Sequence, residues 1–214
     1  RADAGSGAVL TRIENPGKLG SFAWSRDGER LALVAGADVH DPAPERLWVA
    51  STATGELTPL FHDDEGDVVQ AAWQGADSIL CIAHRGVWSA FEKITLGETP
   101  GASPERKVLA APPGPILASF TLSADGQSSA FVADAPLHPR ELYLMRHGDL
   151  APRRLTDSNP WLAELRLAPQ EVVSFEARDG LGLEGLLIRP LDEVAGERVP
   201  LILTVHGGPE SHYS

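Results

Sequence analysis

The sequence predicts a mainly β chain: part of a β-propeller, about three blades plus a remnant of another, followed by the first strands of an α/β domain. Three observations predict it. A turn motif recurs: Phe22-Ala23-Trp24-Ser25-Arg26-Asp27-Gly28 is matched by Phe120-Thr121-Leu122-Ser123-Ala124-Asp125-Gly126, and in degenerate form by Ala71-Ala72-Trp73-Gln74-Gly75-Ala76-Asp77. Trp24, Trp73 and Leu122 stand 49 residues apart, and periods of roughly 20–50 residues are the signature of solenoids and propellers. After Thr156 the period gives way to a hairpin pattern and then to the apolar run Val199-Pro200-Leu201-Ile202-Leu203-Thr204-Val205.

Taken in order, Leu10-Thr11-Arg12-Ile13 reads as the last strand of a blade whose other strands precede Arg1. The first whole unit predicts strands at 21–24, 30–34, 45–50 and 57–61, separated by turns rich in Gly and Asp. Asp-Gly and Thr-Gly pairs tolerate the positive φ that tight hairpin turns require. Four antiparallel strands per unit of 40–50 residues is the arithmetic of a propeller blade. The tails Leu57-Thr58-Pro59-Leu60, Lys107-Val108-Leu109 and Arg154-Leu155-Thr156 correspond from unit to unit. Residues 1–157 are therefore assigned to the propeller and 158–170 to a linker, whose Asn159-Pro160 pair favours a turn. The remaining residues, 171–214, begin the second domain: a strand from Glu171, an Arg178-Asp179-Gly180 turn, a partner strand to Ile188, and the 199–205 run as a strand buried on both faces. Trp24, Trp48, Trp73 and Trp88 recur at strand positions and read as blade core rather than a ligand-stacking set.

Composition bounds the function. A hydrophobic fraction of 43% supports a folded core, and the formal charge of −12 argues against a phosphate-binding surface, so no nucleic-acid partner is expected. The acidic run Asp63, Asp64, Glu65, Asp67 lacks the spacing of a calcium loop and reads as a solvated loop. Cys81 stands alone among apolar neighbours and reads as a small buried hydrophobe, fitting a reducing, cytoplasmic compartment. No stretch reaches the roughly 20 apolar residues of a membrane span, so no membrane role is expected. Arg1 is not an initiator Met, and the natural start is expected to lie upstream.

The chemistry centres on His206-Gly207-Gly208-Pro209, directly after the 199–205 run. In α/β-hydrolases the loop after the third strand supplies a backbone N–H to the oxyanion hole, and His-Gly-Gly sequences occupy it. The oxyanion needs preorganised donors at hydrogen-bond distance, and glycines let a carbonyl approach the backbone that closely. Gly208 is the first candidate donor and Gly207 the second, with His206 shaping the loop. Glu210 and Tyr213 are candidates to line the substrate entrance. His206, Glu210 and His212 match no metal-ligand spacing, and Ser211 and Ser214 sit in no nucleophile elbow. No metal or other cofactor is expected.

The blade turns, Arg154-Leu155-Thr156 with Asn159, Pro169 with Glu171-Val172, Arg178-Asp179-Gly180, Leu187-Ile188-Arg189-Pro190 and His206-Gly207-Gly208-Pro209-Glu210 together resemble the prolyl oligopeptidase family, in its acylaminoacyl-peptidase and dipeptidyl-peptidase-like branch. The resemblance implies a serine peptidase cleaving short peptides, with a propeller restricting access to a Ser-Asp-His triad. The Gly-x-Ser-x-Gly pattern of the family's nucleophile is absent from these 214 residues. The resemblance therefore implies that the triad lies on a C-terminal catalytic segment, and that this chain alone is inactive. Exposed strand edges on an incomplete propeller would make it poorly soluble or homo-oligomeric. Two other readings compete: a non-catalytic TolB-like binding propeller, which accounts for residues 1–156 but not the His-Gly-Gly-Pro motif, and an α/β-hydrolase esterase.

Overall fold

The computed structural model describes residues 1–40, 43–61, 64–97, 102–194, 196–208 and 211–214. Three four-stranded antiparallel meanders follow one another. The first is β1 (Leu19–Trp24), β2 (Arg30–Gly36), β3 (Glu45–Ser51) and β4 (Leu57–Leu60). The second is β5 (Asp67–Trp73), β6 (Ser78–Arg85), β7 (Trp88–Thr95) and β8 (Glu105–Ala110). The third is β9 (Ile116–Leu122), β10 (Ser128–Ala135), β11 (His138–Arg146) and β12 (Arg153–Arg154). Trp24, Trp73 and Leu122 end the first strand of each, so the 49-residue period is the blade repeat.

The repeated turns work through their side chains. Ser25 Oγ donates to Asp27 Oδ1 at 2.6 Å and accepts the Arg30 N–H at 2.9 Å, while Gly28 takes φ 74°. Ser123 and Asp125 repeat the arrangement at 2.6 Å with Gly126 at φ 70°. The degenerate copy lacks the Ser-Asp pair and is held by its neighbours instead. Gln74 Nε2 donates to Gly126 O in the third blade at 2.8 Å, and Arg30 of the first blade donates to Ala76 O at 2.6 Å. Further bonds join the blades: Trp73 Nε1 donates to Ala23 O at 3.0 Å, and the Gln70 amide both donates to Phe120 O (2.9 Å) and accepts its N–H (2.8 Å).

Alternation along the strands sends apolar side chains into the seams. Between the first two blades lie Val34, Leu47, Ile79, Cys81 and Ile94. Between the second and third, Phe91 meets Phe120 and Phe131 edge-on, with centroids 5.1 and 4.9 Å apart. Cys81 is buried as expected, and burial pushes its thiol pKa up to about 12, which leaves it inert.

Beyond the meanders a short 3₁₀ turn (Pro160–Glu164) leads into the hairpin of β13 (Gln170–Glu176) and β14 (Gly182–Ile188), paired from Gln170↔Ile188 to Glu176↔Gly182 around a turn with Gly180 at φ 87°. The linker is clamped from β11. Glu141, buried, accepts hydrogen bonds from the Thr156 and Ser158 hydroxyls and the Ser158 N–H, and it pairs with Arg154. The Thr156 hydroxyl bond leads in holding its carboxyl pKa below the usual range.

Four expectations differ from what is found. The 199–205 run forms no strand, and Leu201, Ile202, Leu203 and Val205 are at least 78% exposed. A strand buried on both faces needs hydrogen-bonding neighbours and covering layers, and among the described residues none pairs with it. The 10–13 remnant also forms no named strand; it lies against the first blade, with the Thr11 hydroxyl donating to Ala53 O at 3.3 Å. Trp24 is 48% exposed, whereas its counterpart Trp73 is half-buried and donates its indole N–H to Ala23 O of the first blade. The acidic run is not all solvated: Asp64 pairs with Arg85 and Arg106, each at 2.7 Å, and Asp67 accepts the Glu45 N–H at 2.7 Å. Asp63 lies outside the described residues.

Candidate functional site

Beyond the 206–208 loop, the chain meets the second blade at His212. The anchor is His212: its ring stacks on His84 of β6 with centroids 3.8 Å apart and planes within 6°, and its Nε2–H donates to Gly86 O at 2.7 Å. Gly86 sits at φ 59° in the turn joining β6 to β7, a conformation that favours glycine, and the following Val87 N–H donates to Glu184 Oε2 of β14 at 3.1 Å. The hairpin and the loop segment therefore grip the same propeller turn from two directions. Burial lowers the pKa of His212, against an opposing pull from its bond to Gly86.

Among the candidate residues, His206 is half-buried, its Nδ1 is 3.3 Å from Gly207 O, and its ring meets Tyr213 edge-on at 5.6 Å. Tyr213 is 49% exposed. Gly207 has open space where a side chain would stand, and Gly208 holds φ 133°. The loop backbone can thus be approached closely from Gly207, and Gly208 takes a conformation that other residues rarely adopt. Glu210 and Pro209 lie outside the described residues. The chain brings His206 and Tyr213 together and adds two residues not predicted for the site, His84 and His212.

A cleft of about 160 Å³ opens beside this contact, between the blade ends and the hairpin, with Trp88, Ile116 and Pro136 on the propeller side and Glu171, Val172 and Leu186 on the hairpin side. Trp88 is half-buried there rather than wholly in a core, whereas Trp48 is buried as expected. A second polar constellation lies inside the propeller. Glu92, 3% exposed, takes both η2 and ε donors of Arg85 at 3.1–3.2 Å, and Arg106 joins it to Asp64. Among the described residues no group of three or more His, Cys, Asp or Glu side chains gathers to hold a metal ion. No helix among them is long and apolar enough to cross a membrane.

No family model matches the chain. Over 96 residues it is 33% identical to the uncharacterized peptidase YuxL of Bacillus subtilis, an alignment covering 44% of this chain and 14% of that protein. In fold it is similar to the acylaminoacyl peptidase of Pyrococcus horikoshii, with a TM-score of 0.65 at 23% identity over 87% of this chain and 28% of that one. Each of these matches is to a part of a longer peptidase. The chain spans 14% of the length of the curated peptidase it matches. The fold is also similar to that of TolB from Acinetobacter baumannii, with a TM-score of 0.54 at 18% identity, over 87% of this chain and 45% of that one. That likeness concerns the fold alone.

Proposed function

We propose that this chain is the propeller gate and oxyanion loop of a serine peptidase that hydrolyses short peptides. Residues 1–157 form the propeller part, 158–170 the linker, and 171–214 the start of the α/β-hydrolase domain. The backbone N–H groups of Gly208 and Gly207 are the oxyanion donors, His206 shapes the loop, and Tyr213 with Glu210 borders the substrate entrance. The nucleophile, aspartate and histidine belong to a C-terminal segment outside these residues, and the working enzyme is cytoplasmic. Short peptides are the substrate class, because a propeller in front of the site limits access by size.

The observation that carries this reading is the seating of His212 on the β6–β7 turn, by its stack on His84 and its bond to Gly86, with the next residue, Tyr213, against the His206 ring. A binding propeller like TolB accounts for the three meanders but gives no role to the hairpin and the loop. The test is labelling of the full-length protein with a fluorophosphonate probe, resolved by mass, together with hydrolysis of a set of short peptides. A labelled full-length species that cleaves peptides, with the 214-residue chain unlabelled, is expected. An unlabelled full-length protein that cleaves nothing would overturn the reading and leave the binding propeller.

A further inference from the structure

We propose that His84, in propeller strand β6, is a positioning residue for the oxyanion loop, which it holds in place by its stack on His212. The inference rests on the peptidase reading of that loop and extends it to its regulation by pH.

The loop reaches the propeller through a chain of rings. His84 meets His212 face to face at 3.8 Å, and one residue on, Tyr213 meets His206 edge-on at 5.6 Å. His206 begins the His-Gly-Gly motif. Moving His212 off its seat therefore shifts Tyr213 and His206, and with them the Gly207 and Gly208 amides. The seat is rigid on the propeller side, since His84 lies in a fully paired strand and the next turn is fixed by the bond from Val87 N–H to Glu184. His84 is well covered, and its Nδ1 has no hydrogen-bond partner among the described residues, although Asp67 Oδ2 lies 3.5 Å away.

Two parallel imidazoles at 3.8 Å stack comfortably when at most one is charged. Protonating both sets two cations face to face. Asp67 is close enough to offset one of them; Arg85, in the same strand, is already engaged by Asp64 and Glu92, and Glu184 is occupied by the turn. On the loop side, the groups nearest His212 are Tyr213 and the His206 ring against it. Burial holds the pKa of seated His212 below its ordinary value, so the released loop takes up the proton first. Seating is thus fully present above the ordinary histidine pKa of about 6.5 and is lost as the pH falls below it.

The test uses the full-length peptidase as wild type, His84→Ala and His84→Phe. Hydrogen exchange of the 206–213 amides is followed on both sides of pH ~6.5, alongside kcat and KM on a short peptide. In His84→Ala, exchange in this segment rises about threefold to tenfold at the higher pH, the scale of a lost aromatic pair, and kcat falls by a similar factor with KM unchanged. His84→Phe keeps a ring under His212, so it retains protection and kcat at the higher pH, and its loosening at the lower pH is weaker than in the wild type because the second imidazole is gone while the burial of His212 remains. Equal exchange in wild type and His84→Ala, with the rest of the blade protected in both, would overturn the proposal, as would an unchanged acid response in His84→Phe. If the wild type cleaves no peptide, the peptidase reading fails while exchange still decides whether His84 seats the loop.

Discussion

Phe22 and Phe120 occupy the same position in the repeat, two periods apart, yet one is 58% exposed and the other 6%. Truncating each to alanine separates what the repeat dictates from what burial dictates. Phe120 lies in the seam between the second and third blades, 5.1 Å from the Phe91 centroid and 6.3 Å from that of Phe131. Removing it takes a ring from a packed cluster, a change that costs about 3–5 kcal/mol in other cores. For a chain of this size each kcal/mol moves the midpoint by about 2–4 °C, so Phe120→Ala should lower Tm by about 6–20 °C. Phe22→Ala removes a ring still mostly in water, and its cost should stay below about 1 kcal/mol, or about 4 °C. Scanning calorimetry of the 214-residue chain carrying each change makes the comparison. Equal losses would refute the reasoning, because they would require something to cover the outer face of β1.

Two further outcomes follow from the polar groups that join the blades. Burial opposes ionisation of Asp64, but hydrogen bonds from Arg106 and Arg85 outweigh it and hold its pKa below the ordinary value; the stability it contributes is present above pH ~4 and lost as the pH falls below that, so Asp64→Asn should flatten the acid limb of a stability-against-pH curve measured by urea denaturation. Gln70→Ala leaves both the N–H and the C=O of Phe120 without their partner, and should cost about 2 kcal/mol or more, against a small change for Gln127→Ala, whose side chain bonds within its own turn.

The blade repeat was legible because its information is local. A Ser two residues before an Asp, with a Gly next, builds its own turn from its own hydrogen bonds, and the strands on either side alternate in the ordinary way. The hairpin at 170–188 was legible for the same reason. The 199–205 run was not, because a purely apolar segment states that it can be buried without stating by what; its strand form depends on partners that sequence patterning does not supply. Trp24 failed likewise: its strand position was right and its burial depended on the neighbouring surface. The charged network was illegible at both ends. Asp64 and Arg106 are far apart along the chain and meet only because β8 returns beside the loop before β5. Glu92 stands next to Lys93 in its strand, so nothing local marked it as the member of the pair that is buried and must be matched. Of the proposed site, the His-Gly-Gly loop was named from its motif alone, while the stack of His84 on His212 was not foreseen, since contact between residues so distant in sequence leaves no spacing to detect.

Four of the bonds that cross from blade to blade share an asymmetry. Trp73, Gln70, Gln74 and Arg30 each offer a side-chain donor, and the receiving groups are the main-chain carbonyls of Ala23, Phe120, Gly126 and Ala76. A carbonyl is present whatever amino acid carries it. The receiving blade can therefore change its residues at those positions without forfeiting these bonds, and the hereditary burden of each such bond falls on its donor codon. Blades built this way can drift apart in sequence while remaining interchangeable as mates.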